Sequence, residues 1–142
     1  MIKLFYGERG SGKTQRMVSD ANAFAEVAKG NVVYLDRDFN RMHELVRNIR
    51  LINVADFGVK DYGVNTSEKF ICFVNGLIAG DGDIQRIYID SVEKLTQTQL
   101  SMLKSMFDEM ESICTQFGVE FALTVEGSKE KLPEYLHKYI NE

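Results

Sequence analysis

The sequence predicts an α/β protein: a three-layer α/β/α sandwich built on a mainly parallel sheet of four or five strands. Three observations predict it. Short apolar runs rich in Ile, Val, Tyr and Phe recur at 2–6, 31–36, 86–90 and 119–127. Longer stretches between them place apolar residues three and four apart, the period of a helix buried on one side. Strands alternating with helices of that length form βαβ units, which bury a parallel sheet on both faces. Finally, 142 residues with 44% hydrophobic and 27% charged side chains suit a single core. One proline and no low-complexity tract or repeat mark no boundary, so residues 1–142 read as one domain.

Each element has its own signal. Ile2 to Tyr6 is a strand. From Lys13 to Lys29, apolar residues at 17, 18, 21, 24, 25 and 28 predict a helix, with Gly30 placed to cap its C-terminus. "NVVYLD" (31–36) reads as a buried strand, 39–49 as a helix, and "LINVADF" (51–57) as holding a short strand. Asn65 or Thr66 can cap a helix over 67–79. "RIYID" (86–90) is a strand, followed by a long helix over 96–116 with Leu100, Leu103, Phe107, Met110, Cys114 and Phe117 on one face. "VEFALTVEG" (119–127) is the last strand, and 129–140 a closing helix with Pro133 in its first turns.

Charge and cysteine usage exclude several classes. A net charge of −4 provides no global basic field for nucleic acid or anionic membrane, so neither is an expected partner. Cys72 and Cys114 have no CxxC neighbour and read as buried thiols rather than zinc ligands. With no signal-peptide pattern and no run of about 18 apolar residues, a cytoplasmic location is expected.

Chemistry concentrates in "GERGSGKT" (7–14), which fits G-x-x-x-x-G-K-[ST] at every fixed position, after an apolar strand and opening a helix. Such a loop turns its amides inward as an anion nest, and the following helix adds its positive end. Gly7, Glu8, Arg9, Gly10, Ser11, Gly12, Lys13, Thr14 and Gln15 are therefore the candidate phosphate-binding residues. Lys13 would set a point charge against the β- and γ-phosphates, and Thr14 would offer its hydroxyl to Mg²⁺. A metal-holding aspartate is expected at the end of an apolar strand. Asp90 in "RIYIDS" meets that description, with Asp36 as runner-up.

These residues resemble the P-loop NTPase superfamily over nearly the whole chain. The intervening "NVVYLD" unit looks like the additional-strand class, in which another strand separates the phosphate-loop strand from the Asp-bearing one. The resemblance implies that 119–126 is that inserted strand, with Thr124 or Glu126 as polar sensor of the γ-phosphate. More narrowly, the chain is similar to short stand-alone ATP-binding proteins of Gram-positive bacteria, sometimes labelled after pilus-retraction motors. It departs from the class at Ser91, where a glutamate usually follows the metal aspartate. Glu93 is the first candidate to orient the attacking water, and Asp36, Asp38 and Glu126 are others.

The expected cofactors are ATP and Mg²⁺. The expected function is nucleotide binding with weak or partner-stimulated hydrolysis, acting as a switch on an unknown protein partner. One alternative is a small-molecule kinase, because the loop also resembles that of thymidine kinases. Their adjacent Asp-Glu pair and cysteine-rich segment are missing, and 59–83 holds only Lys60 and Lys69 where an Arg-rich lid would lie. The other is a nucleic-acid-linked ATPase using Arg37, Arg41, Arg47, Arg50 and His43, a patch diluted by Asp36, Asp38 and Glu44. Arg9, Arg37 and Arg86 are the arginines considered for a contact to a neighbouring subunit's nucleotide.

Overall fold

In the computed structural model, which describes residues 1–57 and 63–140, five parallel strands form one sheet. They are β1 (Ile2–Gly7), β2 (Asn31–Asp36), β3 (Ile49–Asn53), β4 (Ile84–Ile89) and β5 (Glu120–Glu126), in the order β1-β5-β4-β2-β3. The last strand in sequence thus lies between β1 and β4, pairing Leu4 with Leu123 and Ile89 with Leu123. Lys60 lies outside the described residues.

Apolar side chains alternate across this sheet and collect two cores. On one face, Met17, Val18, Ala21 and Ala25 of α1 (Lys13–Val27) pack over Val32, Tyr34, Tyr88 and Ala122. On the other, Phe70, Val74 and Ile78 of α2 (Ser67–Gly80) cover Val33, Leu35, Ile87, Ile89, Phe121 and Leu123. Phe107 and Met110 join the same core from a later helix, Lys104–Phe117. The molecule is a three-layer α/β/α sandwich. Because every pairing is parallel, all five strands end on the same side, where clefts open in such sheets. Among the described residues no helix is long and apolar enough to cross a membrane.

Four expectations of local structure are corrected. Residues 39–49 form turns instead of a helix. Asp38 accepts the Asn40 amide, and Asn22 of α1 accepts the Val46 amide while donating to the Glu44 carbonyl, so side chains take the groups a helix would pair. The long helix breaks into α3 (Val92–Leu95), a 3-10 turn at Leu100–Met102 and α4 (Lys104–Phe117). The Thr96 hydroxyl bonds the Val92 carbonyl, and Gln97 takes a left-handed φ of 50° that no helix continues through. Phe117, the last residue of α4, is exposed rather than packed. The C-terminal segment is a 3-10 helix (Glu134–Tyr139) that begins after Pro133. Gly30 does not cap α1; Ala28 does, in an extended conformation. A Cβ at Gly30 would collide with the Asp83 carbonyl oxygen, so close approach of two backbones explains that glycine.

Of the two helix caps considered for α2, Thr66 is the one used, its hydroxyl accepting the Lys69 amide. Cys72 is exposed and Cys114 half-buried, correcting the expectation of two buried thiols.

Phe107 is fully buried and meets the rings of Tyr135 and Tyr139, each at 5.7 Å. Phe107→Ala should cost about 3–5 kcal/mol. Urea denaturation would show a lower midpoint at unchanged slope. A loss below about 1 kcal/mol would contradict this packing.

Candidate functional site

The loop after β1 is shaped by its glycines and clasped by an arginine. Gly10 and Gly12 adopt left-handed φ values of 81° and 86°, and Gly12 is the N-cap of α1. At Gly7 a Cβ would collide with Ser11 Oγ, so only glycine lets the chain turn so tightly. The Ser11 amide closes a turn on the Glu8 carbonyl at 3.1 Å. Arg16, one turn into α1, donates to the Ser11 and Tyr6 carbonyls at 3.0 and 2.9 Å. The Lys13 ammonium rests 3.5 Å from the Glu8 carbonyl.

Asp90 directly follows β4, is only 5% exposed, and is where four hydroxyl groups converge. One carboxylate oxygen accepts from the Thr14 hydroxyl at 3.3 Å, the Thr124 hydroxyl at 2.8 Å and the Ser91 hydroxyl at 3.5 Å. The other accepts from Tyr34 at 3.0 Å. Burial and the neighbouring Asp90 charge raise the Tyr34 pKa, which keeps it a donor. Thr124 is fully buried and its oxygen also accepts the Ser91 amide at 2.6 Å. It positions Asp90, and does not face the cleft as a γ-phosphate sensor. Ser91 itself has a left-handed φ of 60°, a backbone strain that this pair of bonds holds in place.

A cleft of about 240 Å³ opens here, lined by Arg9, Gly10, Lys13, Thr14, Asp36, Asp90, Glu93 and Glu126 among others. Glu93 projects from α3 and accepts the Glu126 amide at 3.0 Å. Burial raises its pKa, reinforced by the Glu126 charge and opposed by that amide and by Lys13. Asp36 ends β2, next to β4, and accepts the Arg37 amide at 2.7 Å. Burial, with the Asp90 and Asp38 charges adding to it, pushes its pKa up to about 6.

Thr14 Oγ1 and Asp90 Oδ1 are hard oxygens whose separation is close to the ~3 Å between neighbouring ligands in an octahedral shell with ~2.1 Å bonds. They suit Mg²⁺. Among the described residues no group of three His, Cys, Asp or Glu side chains could hold a metal, so water or phosphate oxygens would complete the shell.

The other expected residues are distributed as follows. Glu8 is exposed and lies 3.5 Å from Lys131. Gln15 turns away from the cleft and donates to Glu44. Arg41 pairs with Glu44 at 2.9 Å, which removes one cation from the basic run at 37–50. Arg86 is held by Asp20 and Glu120 and stacked on Phe24 at 3.7 Å, so it has no freedom to reach a neighbouring subunit. Tyr34 and Arg16 were not singled out from sequence. A tyrosine inside the buried run "VVYLD" was the available signal, since its hydroxyl needs a partner.

Among solved structures the chain is similar to the KaiC-like protein PH0186 from the hyperthermophilic archaeon Pyrococcus horikoshii OT3. The TM-score is 0.66 and the identity 16%, over 97% of this chain and 68% of that one. It is also similar to the flagellar accessory protein FlaH from Methanocaldococcus jannaschii, with a TM-score of 0.58 and 15% identity, over 94% of this chain and 63% of that one. The chain has a P-loop NTPase fold. It spans about two thirds of the length of these two structures, and at such identity the likeness is one of fold alone. No family model and no curated protein matches the chain.

Within this P-loop fold the acidic cluster carries a pH signature. Folding raises the Asp36 pKa from 3.8 to about 6, so the native state holds a proton that the unfolded chain has lost. Stability therefore falls as pH rises between about 4 and 6. Asp36→Asn should flatten that decline and gain on the order of 1 kcal/mol at pH 7, below the full linkage value because the carboxylate is only partly buried. Metal-free urea denaturation across that range is the measurement. Glu93 acts in the same direction, so some slope remains.

Proposed function

We propose that the chain binds Mg-ATP in the cleft above Gly7–Thr14 and hydrolyses it slowly or on stimulation by a partner, working as a nucleotide-dependent switch. The single observation behind this reading is the 3.3 Å contact that brings the Thr14 hydroxyl of the loop against the buried Asp90 carboxylate. The strand order supports membership of the additional-strand class, since β5 separates β1 from β4.

In this reading the amides of Gly10 to Lys13 and the N-terminus of α1 bind the phosphate chain. Lys13 moves from the Glu8 carbonyl to the β- and γ-phosphates. Thr14 and Asp90 would hold Mg²⁺, which would supply charge neutralisation at the transferring phosphoryl group. Phosphoryl transfer needs positioning and neutralisation more than covalent chemistry. Glu93 faces the same cleft with its raised pKa and orients a water for attack. Its carboxylate is already committed to the Glu126 amide, which limits its freedom and accounts for slow turnover. A second protein that shifts α3 would then set the rate. A cytoplasmic setting and no membrane partner complete the proposal, with a nucleic-acid-linked ATPase as the alternative it is weighed against.

Calorimetric titration of Mg-ATP tests the binding step. Lys13→Ala should weaken affinity about 10- to 100-fold, the value of one charge-assisted bond to phosphate. Equal affinity for variant and wild type would refute the reading. For turnover, Glu93→Gln should lower phosphate release about tenfold or more with Mg-ATP affinity little changed. If the rate holds and affinity falls, Glu93 belongs to binding and another acid orients the water.

A further inference from the structure

A second cleft, of about 440 Å³, adjoins the first across the sheet and shares Arg37, Asp38 and Lys94 with it. Strand order fixes their relation. The loop follows β1 at one edge, Asp90 follows β4 in the middle, and Asp36 and Val54 follow β2 and β3 at the far edge. The second cleft therefore lies beyond Asp90, on the side away from the loop. We propose that it is a second ligand site, which takes a small organic anion with an apolar body.

Its volume is that of small-molecule pockets. Val54 and Leu95, at 3% and 5% exposure, give it an apolar wall, and Asn65 and Gln97 contribute amides. Among the described residues neither the Arg37 guanidinium nor the Lys94 ammonium makes an ion pair, although both line the cleft. Asp38, the one carboxylate on that wall, already accepts the Asn40 amide. Two cations against one committed carboxylate favour an anionic group, and the Arg37 fork matches a carboxylate or phosphate monoester.

The backbone adds a second argument. Helix α3 is held between two left-handed residues, Ser91 at φ 60° and Gln97 at φ 50°. That framing gives adjacent residues to the two clefts: Glu93 lines only the first, while Lys94 lines both. A ligand on Lys94 is thereby mechanically linked to the helix that carries Glu93. This adjacency to the terminal phosphate rests on the nucleotide reading above; the anion site does not.

The test is methyl NMR of the full chain with 1-naphthyl phosphate, 1-naphthoate and the neutral 1-naphthalenemethanol. Either anion should shift the methyls of Val54, Val64 and Leu95. The alcohol, and either anion on the Arg37→Ala/Lys94→Ala double variant, should bind about fivefold or more weakly. Lys13→Ala, which disables the phosphate loop, should leave the titration unchanged, and so separates failure here from failure of the ATP reading. Equal binding of the alcohol, no binding of either anion, loss in Lys13→Ala, or displacement by adenosine would each overturn the proposal. The last would assign this cleft to the nucleotide's base.

Discussion

The Thr14–Asp90 contact joins two residues 76 positions apart, and the arrangement of the sheet exists around it. Asp90 is a buried carboxylate, which is tolerated only when its oxygens are satisfied by donors. Those donors come from α1 through Thr14, from β2 through Tyr34 and from β5 through Thr124. Each requires its strand to sit within one neighbour or two of β4, so the order β1-β5-β4-β2 is also the order that satisfies this one group. A buried donor or acceptor left unmade costs about 1–3 kcal/mol. Register errors in any of these strands would incur that cost as well as lose apolar packing.

Around that group the cleft concentrates acids. Asp36, Asp90, Glu93 and Glu126 share its walls with Lys13 and Arg9. Burial raises the Asp36 and Glu93 pKa values, with the Asp90 and Asp38 charges adding to the first and the Glu126 charge to the second. Such a group of negative charges is destabilising by itself and becomes favourable once a divalent cation enters it. In the proposed reading, the same arrangement would favour a polyphosphate's metal complex over the bare polyphosphate.

The strand pattern was legible because buried parallel strands are continuous apolar runs, and "NVVYLD", "RIYID" and "VEFALTVEG" are unmistakable in that respect. The loop was legible because its spacing leaves few other uses for three glycines, a lysine and a threonine. The helices misled where tertiary bonds intervened. Asn22 unwinds 39–49 from 24 residues away, and no local period reveals that. Thr96 and Gln97 break the predicted long helix through a single hydroxyl bond and a left-handed turn, which lie below the resolution of periodicity. Thr124 was one of two sensor candidates that the resemblance implied. The actual partner was internal, the Asp90 carboxylate and the Ser91 amide. A buried hydroxyl is satisfied by whatever is nearest, and sequence does not say what that is.

Arg16 has a further meaning. By fastening the carbonyls of Tyr6 and Ser11, it holds the loop's curvature with the chain's own groups. A loop that floated freely would have to be ordered on every encounter, and that entropy would be subtracted from affinity each time. In the proposed reading Lys13, which rests on the Glu8 carbonyl, is a side chain that would move, a rotamer change on the picosecond-to-nanosecond scale. In the proposed reading, the ordering entropy that binding must overcome at this end of the sheet would therefore be small.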